Sequence, residues 1–401
     1  DKMGQRSTDT REVIFEEVRI PSRFRLGQGH DGFNIAMKTL DASRPVVGAQ
    51  AVGIGAIAGG CNMIASYPMS PGTGVLTFLS AKADDFGIVA EQVEDEIAAI
   101  NMALGGWYGG GRAMVTTSGG GFALMEEGVS LAAMTETPVV VHVAQRPGPA
   151  TGLATRTEQG DLDLVLYAGH GEFPRVILAP GTLDEGIRLT RHAFELADRF
   201  QVPVFILTDQ YYMDTYYNVS DPQPETVNPR RYLVDTDGSY QRYTFTDSGI
   251  SPRAVPGLGT GVVVVSGNEH LEDGHITEDP KIRVRMNDKR LGKIKLLADA
   301  AIEPTLWGSG RSDTIVVCWG STGPTVVEAL TDQLDTVQVM HVAQPFPLHP
   351  DGVARLKKAD RIIVVEQNAT GQLARLLRGH YDIVTTDSVH KYDGRAMSVE
   401  Y

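Results

Sequence analysis

Three side chains of this sequence have a type and a setting that could do chemistry: a carboxylate at Glu96, an arginine at Arg146 and a hydroxyl at Ser70. Glu96 ends an acid cluster (Glu91, Glu94, Asp95, Glu96) that opens a run of small residues, Ala98, Ala99, Ala103, Gly105 and Gly106. A helix of such residues lets backbones approach closely, which marks a buried helix. Glu96 then has two readings. First-turn acids that complement the helix dipole are common, and pattern alone favours that reading. The other reading is a half-buried carboxylate that hydrogen-bonds a heterocyclic nitrogen and shifts its protonation. Arg146 follows the apolar run PVVVHVA and begins a Pro/Gly loop. It is either a packing arginine or a clamp on a substrate carboxylate, for which a guanidinium is well shaped. Ser70 sits in the turn Tyr67-Pro68-Met69-Ser70-Pro71-Gly72-Thr73-Gly74, as a turn hydroxyl or as a donor to a bound oxyanion. His270, Glu272, Asp273 and His275 could form a metal site, but they lack ligand spacing, and a solvated loop is the better reading. No metal ligand is assigned.

These residues must be held by a framework, and the sequence supplies one. From Pro45, PVVGAQAVGIGAIAGG reads as a short strand and an Ala/Gly helix stopped at Gly59-Gly60. NMIASYP, IVAEQ, RAMVTTS, PVVVHVA, RVILAP and VPVFILTDQ read as strands. Helices alternate with them: VLTFLSAKADDFG, the segment from Glu96 to Gly109, FALMEEGVSLAAMTE after a Gly119-Gly120-Gly121 turn, and TLDEGIRLTRHAFELADRF. Near-continuous apolar strands alternating with helices predict an α/β parallel sheet covered on both faces. In such sheets ligands meet the loops beyond the strand carboxyl ends, where the YPMSPGTG turn and the QRPGPATGLATRTEQGDLDL loop fall. Residues 1–44, with TREVIFEEVRI as a strand and FNIAMKTLDA as a helical turn, read as an arm or linker. Residues 45–213 form the first domain. Residues 214–300 read as a connector with β-hairpins (RYLVD, YQRYTF, GVVVVSG) and a basic helical end. Residues 301–401 hold a second, smaller α/β unit with a parallel sheet (TIVVCWGS, VQVMHVA, RIIVVEQN, YDIVTTD).

Composition narrows the function. The 401 residues carry a net charge of −14, which argues against a nucleic-acid surface. Cys61 and Cys318 are far apart and no CxxC occurs, so neither a disulfide scaffold nor an iron–sulfur ligand set lies within this chain. That fits a reducing, cytoplasmic interior. No apolar run reaches membrane-spanning length. There is no GxxxxGK[ST] loop, HExxH or GxSxG motif, and dinucleotide binding is weakly supported.

Residues 45–380 resemble the alpha subunit of the 2-oxoacid:ferredoxin oxidoreductases, a thiamine-diphosphate family. The text that carries the resemblance is YPMSP, EDEIAAINMALGGWYGGGRAMVTTSGGGFALM, QRPGPATGLATRTEQGDL, HGEFPR and VVEQNATGQ. It implies a pyrimidine-binding parallel-sheet domain followed by a smaller domain like the carboxy-terminal one of transketolase. It also implies roles. Glu96 resembles the glutamate that contacts the cofactor's aminopyrimidine, with Tyr67 and Pro68 beside the cofactor. Arg146 resembles the arginine that pairs with the 2-oxoacid carboxylate. Ser70 stands where the family has the threonine of YPITP, which keeps a hydroxyl but loses a methyl. Thr155, Arg156, Thr157 and Gln159 line the same cavity.

The same resemblance implies CoA-dependent oxidative decarboxylation of a 2-oxoacid, with electrons passed to ferredoxin. 2-Oxoglutarate is favoured, because Arg156 could meet its distal carboxylate. A GDG motif with a downstream Asn, which thiamine enzymes use for diphosphate and Mg2+, is missing from this chain. Diphosphate, Mg2+ and a 4Fe–4S cluster are therefore expected on a beta subunit, in a dimer of heterodimers. A gamma domain is expected upstream. Two alternatives stand beside this reading: a transketolase-like or 2-oxoacid dehydrogenase subunit, and a scaffold chain without chemistry of its own.

Overall fold

The computed structural model describes residues 47–215, 229–310 and 312–401, with Arg19, Pro21, Ser22 and Asp31 besides. Residues 1–44 and 45–401 form separate compact units, and all that follows concerns the second. The strand read in TREVIFEEVRI, apart from Arg19, and the helical turn read in FNIAMKTLDA lie outside the described residues.

The first sheet is built from β1 (Met63–Ser66), β2 (Val89–Gln92), β3 (Ala113–Thr117), β4 (Val139–Gln145), β5 (Val176–Leu178) and β6 (Pro203–Asp209). Their order is β2-β1-β3-β4-β6-β5, and every pairing is parallel. Every residue of β3, β4 and β6 is buried, which is why these strands read as near-continuous apolar runs. Helices cover both faces. The Val47–Ala58 helix crosses the Leu183–Phe200 helix so closely that a Cβ on Gly55 would fall 2.5 Å from the Ile187 carbonyl oxygen. Val47, read as part of a short strand, lies in this helix, while Pro45 and Val46 lie outside the described residues.

The second sheet runs β11-β10-β8-β9-β7, from β7 (Thr305–Gly308), β8 (Thr314–Trp319), β9 (Gln338–Val342), β10 (Arg361–Glu366) and β11 (Asp387–His390). Two expectations are corrected here. The sheet is mixed rather than parallel, since β7 pairs antiparallel with β9 on the edge. The last strand is Asp387–His390, not YDIVTTD, because the Gln372–Tyr381 helix runs on through Tyr381 and the chain needs a return loop before it pairs with β10.

The connector differs as well. No β-hairpin forms among its described residues, which hold only isolated bridges, Thr236 with Gly259 and His270 with Ile276. The alternating runs are pinned on the first domain instead of on one another. Arg242 Nη2 donates to the Glu136 carbonyl at 2.7 Å, and Tyr108 Oη donates to the Val263 carbonyl at 2.9 Å. The basic end forms a 20-residue helix, Pro280–Asp299, capped by Asp279 with Pro280 in the first turn. Its Lys293 places Nζ 2.5 Å from Glu136 Oε2, and Lys289 binds the other carboxylate oxygen, all three side chains being buried.

Candidate active site

Parallel strands put their carboxyl ends on one edge of the sheet. There the turn after β1, Ser118 after β3, and Arg146 after β4 come together. The turn after β1 is fixed from below. Thr116 Oγ1 donates to the Gly72 carbonyl at 3.1 Å and lies 2.8 Å from His142 Nδ1, while His142 Nε2 lies 2.8 Å from Thr208 Oγ1. Because the Thr116 hydroxyl spends its proton on Gly72, His142 must donate from Nδ1 and accept at Nε2. Burial pushes this imidazole down to about 3, so it stays neutral. The line runs across β3, β4 and β6 and holds the Ser70–Gly72 turn against the sheet. Arg146 closes the turn from the side, its Nη1 donating to the Ser70 carbonyl at 2.8 Å.

Glu96 is the first residue of the Glu96–Tyr108 helix. Asp95 caps that helix by accepting from the Ala98 amide at 2.7 Å. The capping task therefore belongs to Asp95, and Glu96 is free for another use. It is more buried than half: only 3% of it is exposed. Its Oε1 has no hydrogen-bond partner. The carboxylate lies against Gly121, where a Cβ would fall 2.5 Å from Oε1.

The three glycines were expected as a turn and are instead the start of a helix, Gly119–Phe122, that Ser118 precedes and that continues through a 3-10 turn into Glu126–Met134. Glycine is needed there because side chains crowd in from two sides. Gly121 faces Glu96, and Gly119 faces Asp161, whose carboxylate oxygens lie 2.3 and 2.4 Å from where a Cβ would stand. The Ser118 hydroxyl caps nothing. Glu96 Oε1, Ser118 Oγ, Arg146 Nε and Asp161 Oδ2 are all buried polar atoms without a partner. Such atoms are costly in a folded interior unless a ligand satisfies them. Glu96 and Asp161 press on the glycine helix that Ser118 precedes, and the Arg146 charge acts on Asp161, which makes this edge the candidate binding site.

The remaining expected residues are distributed differently. Tyr67 and Pro68 follow β1 directly, with Tyr67 exposed and Pro68 half-buried. Thr155 and Arg156 line a separate cavity of about 280 Å³ with Tyr211, Asp214 and Arg395. Thr157 is buried and donates to Asp209 Oδ1 at 3.1 Å. Gln159, expected on the substrate wall, instead ties the loop to the second sheet. Its amide donates to the Gln367 carbonyl at 2.7 Å, its Nε2 to the Trp319 carbonyl at 2.8 Å, and its Oε1 accepts from the Gln367 amide at 2.9 Å. The His270 group does not converge. His270 stacks on Tyr243 with centroids 3.7 Å apart, Glu272 accepts from the Phe245 amide, and His275 pairs with Asp273.

Sequence reasoning missed Ser118, Asp161 and the glycine cradle. Asp161 stood in the TEQGD loop and the GGG run read as a turn, and neither spacing nor composition connects them. Only the fold does.

A family model for the pyruvate flavodoxin/ferredoxin oxidoreductases, covering their thiamine-diphosphate-binding domain, matches residues 54–289. The chain belongs to this family. It thus carries a thiamine-diphosphate-binding domain, and Glu96, Ser118, Arg146 and Asp161 all lie in it. Among curated relatives, a 2-oxoacid:ferredoxin oxidoreductase alpha subunit of Aeropyrum pernix is 36% identical, over 87% of this chain and 58% of its own length. The KorA subunit of 2-oxoglutarate synthase from Methanocaldococcus jannaschii is 31% identical, over 85% of this chain and 94% of its own. The chain spans a little over half the length of the first of these relatives. A solved 2-oxoglutarate:ferredoxin oxidoreductase from Magnetococcus marinus, with 2-oxoglutarate, coenzyme A and succinyl-CoA bound, superposes with a TM-score of 0.84 at 34% identity, covering 88% of this chain and 63% of that one. A split-gene transketolase superposes at 0.51 with 11% identity over 88% and 90%, a likeness of fold alone. Together with the two sheets, these place the fold as a pyrimidine-binding domain followed by a smaller transketolase-like α/β unit. No helix among the described residues is long and apolar enough to cross a membrane.

The site residues fit the cofactor. An unpartnered buried carboxylate at the mouth of a glycine cradle is what a protonated ring nitrogen needs.

Proposed function

We propose that this chain is the alpha subunit of a 2-oxoacid:ferredoxin oxidoreductase, and that its site carries out the CoA-dependent oxidative decarboxylation of a 2-oxoacid. The observation that carries the reading is the unpartnered Glu96 Oε1, buried against Gly121 on the same edge as Arg146. Thiamine diphosphate, when bound, supplies the carbon nucleophile and the electron sink that decarboxylation requires. This chain's residues do the rest. Glu96 holds the ring nitrogen and fixes its protonation. Arg146, steadied by the Ser70 carbonyl, offers its remaining N–H groups to the substrate carboxylate. The Ser70 turn, pinned through Thr116 and His142, forms the wall beside it. A beta subunit is proposed to bring diphosphate, Mg2+ and the 4Fe–4S cluster, and ferredoxin to accept the electrons in the cytoplasm. The relatives named as 2-oxoglutarate enzymes make 2-oxoglutarate the favoured substrate.

The test is anaerobic purification from the native source, followed by viologen reduction with 2-oxoglutarate or pyruvate, with and without coenzyme A. CoA-dependent reduction by an iron- and thiamine-containing complex supports the reading. A complex free of iron would refute it.

A further inference from the structure

Asp161 sits where the TEQGD loop meets the glycine turn. Its main chain is fixed, for its amide donates to Gln145 Oε1 at 3.0 Å and Gln145 Nε2 donates to the Thr208 carbonyl at 3.2 Å. Its side chain is pressed against Gly119. Part of the residue reaches solvent, but Oδ2 is sealed off and has no partner. Arg146 Nε, on the same edge, is likewise sealed and unpaired.

Two charges act on Asp161: Glu158 on its own loop and Arg146 at the end of β4. Glu96 packs on Gly121, two residues along from the Gly119 that Asp161 touches. Burial, and then the Glu158 carboxylate, push the Asp161 carboxyl up to about 7, against the pull of Arg146. It therefore changes charge near neutrality.

A 2-oxoacid presents only acceptors at its head: two carboxylate oxygens and a keto oxygen. Arg146 can donate to one side of that head. A carboxyl that keeps its proton can donate to the other, whereas an ionised one can only accept and repels the incoming anion. We propose that Asp161 binds the 2-oxoacid as a neutral acid, donating a hydrogen bond to it beside Arg146, so that substrate binding requires its proton. This inference rests on the reading of the site as a 2-oxoacid site.

The pH sign follows. Below the Asp161 titration the protonated form predominates and KM is flat. Above it, the competent fraction falls about tenfold per pH unit, and KM rises by the same factor. The experiment measures KM and kcat in the assembled complex from about pH 5.5 to 8.5, with 2-oxoglutarate and with pyruvate. Wild type shows the rise in KM above about 7. Asp161→Asn, which donates at every pH, shows a flat KM. Glu158→Gln removes a charge that raises Asp161, so the rise starts at lower pH. An Asp161→Asn profile that tracks wild type, a wild-type KM flat throughout, or a Glu158→Gln profile unmoved in pH would each overturn the role of Asp161 while leaving the 2-oxoacid reading intact. No turnover of either oxoacid by an intact wild-type complex would overturn both.

Discussion

Gly121→Ala separates a structural glycine from one that shapes the site. Gly121 lies in a helix and has no positive φ, so Ala is intrinsically favoured there by about 0.5–1 kcal/mol. The local backbone should accept the change. Its surroundings should not, for the new methyl would stand 2.2 Å from Thr117 Oγ1 and 2.5 Å from Glu96 Oε1. Ordinary contact begins at 3.4 Å, so the carboxylate must retreat by about 0.9 Å. That retreat takes the free oxygen away from the place where it now points. A displacement of ~1 Å at a reacting group costs about 100-fold in rate. The expected outcome is a complex that assembles with a lowered Tm, since overpacking costs about 1–3 kcal/mol, and with kcat lowered about 100-fold and weakened thiamine diphosphate affinity. Gly105→Ala is the control, since nothing lies within 4 Å of its added methyl. Assays are viologen reduction, cofactor titration by intrinsic fluorescence, and thermal melting. Full activity in Gly121→Ala would refute the placing of Glu96 at the cofactor.

Glu96→Gln keeps the shape and removes the charge; turnover should fall almost to nothing while assembly persists, and near wild-type activity would end the assignment. Arg146→Gln loses a charge-assisted contact of about 1.5–3 kcal/mol, so kcat/KM should fall roughly 10- to 150-fold, read by steady-state kinetics. Away from the site, burial alone would raise the Glu136 carboxyl, but Lys293 and Lys289 outweigh it and hold it well below the carboxylate range. Its stabilisation is therefore present above the ordinary carboxylate pKa and lost as the pH falls into strong acid. Glu136→Gln leaves two buried ammonium groups without an anion and should destabilise by about 3–5 kcal/mol, seen as a lower Tm that no longer depends on acid pH in this way.

The first sheet was legible because its central strands are buried on both faces and so read as near-continuous apolar runs. Glu96 and Arg146 stood out through their motifs, and the structure brings both to the same edge of the first sheet. Asp161 was not, because what makes it functional is a contact with Gly119, forty-two positions earlier, and a shortage of partners that no sequence displays. The connector misled for a related reason. Runs such as YQRYTF alternate like strands, yet the Arg242 and Tyr243 side chains donate to the carbonyls of Thr135 and Glu136, and the Tyr243 amide donates to the Glu272 carbonyl without a ladder forming. Gln159 looked like a cavity residue because its loop leads to the site, whereas its polar atoms are committed to the second sheet.

That commitment has a thermodynamic consequence. The stitch from Gln159 to Trp319 and Gln367 is buried, and it runs through the loop that carries Asp161. Neither sheet can melt without exposing groups that the other satisfies. The two halves should therefore unfold in one calorimetric transition, with the amide protons of Gln159 and Gln367 exchanging only through global opening. The smaller half would then act as a brace that suppresses breathing of the catalytic edge.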